Sequence, residues 1–204
     1  MPARIDPEKR RRDVIEAAFR LVVAEGLEGV SLRKVAEESG LNIGSVRHYF
    51  DGHLDLLSAA AEEAGNRMGG RLAGHPAGNL RGLRGEAALD ALQALVESVL
   101  PVDDARRDEA IVVVELIMAS RTMPVFRAMS ARMAADLAAV LREAFGALDV
   151  PDPECAAAQV AAVIGGLTID TVTPHGGLSV EALRAVLRAH LRTLLAASDR
   201  GDAA

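Results

Sequence analysis

Arg47 and His48 sit in the segment Asn42-Ile43-Gly44-Ser45-Val46-Arg47-His48-Tyr49-Phe50. Val46 and Phe50 lie four apart, on one face of a helix, so Ser45, Arg47, His48 and Tyr49 project elsewhere. Arg47 and His48 are donors with the reach to meet base edges or phosphate oxygens. Catalytic chemistry has no comparable constellation. His48 and His53 are five apart, which does not stack them on one helical face for a metal, and there is no His-x-x-x-His, no paired cysteine and no Gly-Lys-Ser phosphate loop. Gly69-Gly70 lacks the Lys-Ser or Lys-Thr that would make it one, and no nucleophile has an identifiable base. A binding protein without catalytic residues, metal or cofactor is expected.

The elements that must hold these donors are helices. Val14, Ala17, Ala18, Leu21 and Val22 form the buried stripe of a first helix, which Gly26 is placed to stop. The run Arg10-Arg11-Arg12 precedes that stripe as a candidate electrostatic anchor. Ser31 opens a short second helix with Leu32, Val35 and Ala36 turned inward, and Gly40 follows as a left-handed cap. Asn42 caps the third helix and Asp51 a fourth, which carries Leu54, Leu57, Ala61 and Ala64. Two helices joined by three or four residues containing glycine make a helix-turn-helix. In that motif the first helix crosses the phosphate backbone and the second enters the major groove. Ser31 and Lys34 are candidates for holding phosphates.

The rest reads as further helices, about nine in all, without a solenoid repeat or the period-two alternation of strands. Gly65 to Gly85 contains seven glycines, four arginines and no acidic residue, and looks like a frayed helix end and a mobile connection, although the sequence does not decide between helix and loop there. Leu89, Leu92, Leu95, Val96 and Val99 precede Pro101. Asp103 or Asp104 caps a helix with Ile111, Val114, Glu115 and Met118 along one face. Thr122 and Pro124 start a long helix ended by Gly146; Asp152-Pro153 and Ser179 start the last two.

The 204 residues are half hydrophobic and carry a net charge of −6, which argues at first against a nucleic-acid partner. The distribution reverses that. Through Phe50 there are nine basic and eight acidic residues, a net of +1, whereas the remainder carries 14 and 21, a net of −7. One cysteine excludes an internal disulfide. The start, Met1 to Arg10, has charge where a signal peptide needs an apolar run. The uncharged stretch between Glu154 and Asp170 is 15 residues, below the ~18 of a membrane span. A cytoplasmic protein without a membrane partner is expected.

At these residues the sequence resembles the TetR family of bacterial transcriptional regulators. The resemblance spans about Val14 to Leu57 and rests on Gly29-Val30-Ser31-Leu32-Arg33-Lys34-Val35-Ala36, on Ser39-Gly40-Leu41-Asn42-Ile43-Gly44-Ser45-Val46-Arg47-His48-Tyr49-Phe50 and on Leu54-Asp55-Leu56-Leu57. The family pattern at the middle stretch is Ala-Gly-Val-Ser-x-Gly-x-Leu-Tyr-x-Tyr-Phe, with a lysine three residues on. Asn42 replaces the cap serine, Arg47 the first tyrosine and His53 the lysine that grips a phosphate. The asparagine is chemically equivalent. Arg47 adds base readout, and His53 weakens one phosphate contact or makes it dependent on pH, because an imidazole changes charge near neutrality. The resemblance implies an all-α fold in which a three-helix DNA-binding domain, residues 1–52, precedes a larger ligand-binding and dimerisation domain, residues 53–204. The implied DNA-contacting set is Ser31, Arg33, Lys34, Asn42, Ile43, Gly44, Ser45, Arg47, His48, Tyr49 and His53.

The partners implied are double-stranded operator DNA, a small-molecule effector and a second copy docked through the last two helices. Ala156, Ala157, Ala161, Ala162, Gly165 and Gly166 give the penultimate helix a small-residue surface consistent with close approach. Met118, Met123, Phe126, Met129 and Met133 form a soft cluster suited to an adaptable apolar pocket, with Glu115 and Thr171 as candidate polar contacts. Core packing is the competing role for each. Cys155 is expected to be a small buried residue. The function expected is a repressor that leaves a palindromic operator when ligand binds. A transcriptional activator of the same family, or a helical adaptor whose helix-turn-helix contacts protein, is the alternative.

Overall fold

The computed structural model describes residues 6–199, in which nine α-helices and one 3-10 turn account for the regular structure. Met1 to Ile5, part of the stretch read above for a signal peptide, lie outside the described residues. The fold is all-α. The chain divides into two compact units, one of residues up to 66 joined by 111–130, the other of 67–110 with 131 onward.

The first unit contains α1 (Pro7–Gly29), α2 (Leu32–Ser39), α3 (Ile43–Tyr49) and the first part of α4 (His53–Ala73). The predicted α1 stripe is buried, together with Ile15 and Phe19, as are Val35, Ala36, Val46, Phe50, Leu56 and Leu57 on the following elements. Asp6 caps α1, its carboxylate accepting from the Glu8 amide at 3.0 Å. Gly26 interrupts the helix at φ 72°, ψ −178°, a conformation essentially confined to glycine. Its role as a stop is therefore met, although one more turn follows to Gly29. The α4 start differs from expectation. Gly52 occupies the cap position, its carbonyl accepting from Leu56, and the capping carboxylate belongs to Asp55, which accepts from the Asp51 amide at 3.1 Å.

Past Asn66, α4 does not fray. It continues to Ala73 through Gly69 and Gly70, each of which costs roughly 1 kcal/mol against alanine in a helix. The last turn is fastened in the second unit by Arg71, whose Nε donates to the Ser98 carbonyl at 2.7 Å while its terminal nitrogens hold the Glu109 carboxylate. The chain then turns through a 3-10 segment, Ala77–Leu80, with Leu80 buried. Glycine content left helix or loop open here; the structure has helix as far as Ala73, with a long-range guanidinium clamp at its last turn.

In the second unit α5 (Gly85–Glu97), α8 (Pro153–Val172) and α9 (Val180–Asp199) surround a core of Leu89, Leu92, Leu95, Leu141, Phe145, Val160, Leu183, Leu187 and Leu191. Asp103, one of the two caps offered for α6, Asp152, where α8 was expected to begin, and the predicted cap Ser179 each accept an amide three residues on, at 2.9, 3.0 and 3.2 Å. Asp103 rather than Asp104 is thus the cap of α6 (Asp104–Ala119). α7 (Pro124–Ala147) runs one residue beyond Gly146, and the left-handed residue that follows is Asp149 at φ 58°. On α6 the expected inward face is displaced: Ala110, Val112, Val113 and Leu116 are buried, while Met118 is 54% exposed. With Ile111, Val112, Val113 and Val114 in a row, apolar periodicity did not choose between faces. α8 is 20 residues long, and by length and composition it is apolar enough to cross a membrane. The uncharged-run count missed this because two acidic residues near its ends fall inside the helix. Cys155 is exposed, a correction to its expected burial, and its sulfur accepts from Gln159 Nε2 at 3.3 Å.

Candidate nucleic-acid interface

The helix-turn-helix is built from two side-chain caps and one left-handed residue. Ser31 Oγ accepts from the Lys34 amide at 3.2 Å to open α2. Gly40, at φ 68°, closes it, with the Gly40 and Leu41 amides donating back to the Glu37 and Ala36 carbonyls. Any side chain at that φ would be strained. Asn42 Oδ1 then accepts from the Ser45 amide at 2.8 Å and opens α3. A Cβ added at Gly44 would come within 3.2 Å of that same oxygen, so the glycine keeps the cap clear.

Val46 and Phe50 anchor α3 by full burial, and the Phe50 amide donates to the Val46 carbonyl at 3.0 Å. The Arg11 guanidinium lies 5.3 Å from the Phe50 ring centroid, a cation–π contact tying the predicted basic run to the end of α3. Around buried Val46, the residues Asn42, Ile43, Gly44, Arg47 and His48 are exposed, while Ser45 and Tyr49 are half-buried. The His48 and Tyr49 rings meet edge to face at 5.2 Å. His53 is half-buried at the first position of α4. The polar flank of α3 therefore faces solvent, and most of the eleven residues expected at DNA lie on α3 or its cap.

Sequence reasoning missed how the remaining cations are held. Lys34 Nζ is 2.5 Å from Glu25, Arg20 Nε is 2.6 Å from Glu38 and Arg33 Nε is 3.1 Å from Glu37. Only the Arg33 pair has the i,i+4 spacing that the sequence displays. The other two join α1 to α2 and needed the fold to be seen. Arg47 has no ion-pair or hydrogen-bond partner among the described residues.

The candidate ligand residues have mixed surroundings. Phe126 is fully buried; Glu115, Met123, Met129 and Met133 are half-buried. Thr171 is buried, and its hydroxyl donates to the Leu167 carbonyl at 2.7 Å, a bond along its own helix. A cleft of about 140 Å³ lies elsewhere in the second unit, lined by Leu83, Arg84, Glu86, Leu89, Leu148 and Leu195 among others, and includes none of those candidates. Hydrogen bonds from Arg188 and Arg192 hold the Glu86 carboxyl below the usual glutamate range, and the Asp90 and Glu86 carboxylates raise Arg188. These ion pairs join α5 to α9 at the surface of the second unit. Among the described residues no three histidine, cysteine or acidic side chains gather as a metal site.

Comparison with known proteins gives a consistent result. Residues 14–60 match the profile of the tetR family of bacterial regulatory proteins, and residues 88–196 match the C-terminal profile of BetI-type transcriptional repressors. The transcriptional regulator PksA of Bacillus subtilis is 47% identical over 60 residues, 29% of each chain. The match thus spans well under two thirds of that curated relative. A crystal structure of a transcriptional regulator from Rhodococcus sp. Rha1 superposes with a TM-score of 0.80 at 25% identity, covering 93% of this chain and 97% of that one. The multidrug binding protein EbrR complexed with malachite green superposes with a TM-score of 0.66 at 25% identity, over 89% and 98% of the two chains.

Proposed function

The chain belongs to the TetR family of bacterial regulatory proteins, and from that premise we propose that it is a ligand-responsive repressor acting by binding rather than catalysis. The observation that carries the reading is the solvent-facing polar flank of α3, fixed by the Asn42 cap on one side and by buried Val46 and Phe50 on the other. Residues 1–52 serve the operator, through Ser31, Arg33, Lys34, Asn42, Ile43, Gly44, Ser45, Arg47, His48 and Tyr49, with His53 just beyond. Residues 53–204 serve regulation, in the cytoplasm. The BetI-type repressor profile over residues 88–196 supports repression as the direction of control.

The protein works as a homodimer joined through α8 and α9. Supporting this, α8 is largely apolar between Glu154 and Asp170, yet much of that stretch is not buried within one chain, and Ile169 on α8 and Val186 on α9 are 42% and 48% exposed. A second copy laid across both helices would cover that surface. Two recognition helices related by a twofold axis then read half-sites one helical turn or more apart.

The effector is a small molecule; Glu115, Met118, Met123, Phe126 and Met129 are its candidate contacts in the first unit, and Met133 and Thr171 are separate candidates in the second. EbrR holds malachite green, but a planar aromatic cation is not carried over to this chain. All four phenylalanines here are at most 5% exposed, which leaves few rings for stacking. Binding favours a conformation in which the recognition helices are mis-spaced, and α4, which contributes residues to both compact units, carries the movement. Retardation of a duplex from upstream of the gene, lost in Arg47→Ala with unchanged circular dichroism, tests the operator half. An effector that binds tightly but leaves operator affinity unchanged would refute the ligand half, because equal affinity for both states shifts nothing.

A further inference from the structure

Resting on the operator-binding reading above, we infer that Ile43 and Arg47 form a two-residue specificity device that reads a guanine with a thymine one or two base pairs away. Three observations lead there. First, Arg20, Arg33 and Lys34 are each held by a carboxylate, whereas Arg47 on α3 is exposed with no partner among the described residues. The helix-turn-helix thus keeps one guanidinium unengaged, on the helix that enters the groove.

Second, Ile43 is 42% exposed at the first position of α3. A β-branched apolar side chain there gains nothing in water and nothing at a phosphate. It gains at the C5-methyl of thymine, the one apolar group on the major-groove edge of a base pair. Third, Ile43 and Arg47 are four residues apart and share a face, about 6 Å apart along the helix axis. The rise of B-DNA is about 3.4 Å per base pair, so the two tips address positions one or two pairs apart. A guanidinium fork matches the O6 and N7 acceptors of guanine with two parallel hydrogen bonds. Gly44, between them, adds no side chain to obstruct either.

The test equilibrates the full chain with duplexes randomised across both half-sites and sequences those retained, for the native chain, Arg47→Ala and Ile43→Ala, with helix content checked by circular dichroism. The native chain should select a symmetric guanine with a thymine within two pairs. Arg47→Ala should flatten the guanine preference by about tenfold and spare the thymine, and Ile43→Ala should do the reverse more weakly. Probes that need no variant act on the native chain. Replacing the guanine by 7-deazaguanine, which lacks the N7 acceptor, should weaken binding by about tenfold, and replacing thymine by deoxyuridine should weaken it a few-fold. Arg47→Ala should ignore the first change and Ile43→Ala the second. Uniform weakening of Arg47→Ala across all sequences, with a salt slope smaller by about 0.9, marks a phosphate contact and overturns the inference. Retention of no duplex at all overturns the operator-binding reading beneath it.

Discussion

Replacing Arg71 by alanine should be among the most damaging single changes in the second unit, although the residue belongs to neither the expected DNA-contacting set nor the candidate ligand residues. Its guanidinium holds the Glu109 carboxylate in a two-pronged contact, at 2.5 and 3.4 Å, and reaches the Ser98 carbonyl at 2.7 Å. The Glu109 side chain is only 8% accessible and that of Arg71 26%. Removing one partner of a buried ion pair costs about 3–5 kcal/mol, because the other charge stays behind unpaired. Partial exposure of Arg71, and Arg67 standing 4.0 Å from the same carboxylate, lower the expectation to about 2–4 kcal/mol. At fixed protomer concentration that lowers the melting temperature by about 4–16 °C in a domain of this size. Urea unfolding followed by circular dichroism measures it. Arg71→Met with Glu109→Leu should recover most of the loss, since the cost lies in the orphaned charge. A single variant within about 0.5 kcal/mol of the native chain, or losses that simply add in the double variant, would refute the reasoning.

Asn42→Ala removes the acceptor of the Ser45 amide and should cost about 1 kcal/mol in urea unfolding, with a larger proportional loss of operator affinity because α3 is only seven residues long. His53→Lys places an ammonium where relatives of the family grip a phosphate. Operator affinity should rise several-fold and the salt slope steepen by about 0.9, both read by fluorescence anisotropy. Glu86 titrates below its ordinary range in the fold because Arg188 and Arg192 donate to it. A lowered folded value means its contribution is complete above the unfolded pKa and disappears as pH falls through the folded one. The difference in urea midpoint between the native chain and Glu86→Gln should therefore be present at neutral pH and vanish at strongly acidic pH.

What could be read from the chain was what local rules govern. The caps at Ser31, Asn42, Asp103, Asp152 and Ser179, the stop at Gly26 and the left-handed turn at Gly40 follow from side-chain chemistry within a few residues. The recognition flank was legible for the same reason, since Val46 and Phe50 fix its rotation. One misreading was local, the cap expected at Asp51 falling to Gly52; the others arose where distant groups decide. Whether α4 continues past its glycines was undecidable from the sequence, and Arg71 in its last turn reaches 38 residues along the chain to Glu109. On α6 a run of four β-branched residues offered two inward faces, and packing chose the one without Met118. Lys34 with Glu25 and Arg20 with Glu38 became visible only once α1 lay beside α2.

The most direct test of operator recognition exposes the native chain to sheared genomic DNA of its host at about physiological salt and sequences the fragments retained. Recognition by two symmetry-related copies of α3 predicts enrichment of one imperfect palindrome by at least about a thousandfold over bulk DNA, with Arg47→Ala losing that enrichment while keeping its fold. Even coverage of the genome by the native chain, equal to that of the variant, would contradict it.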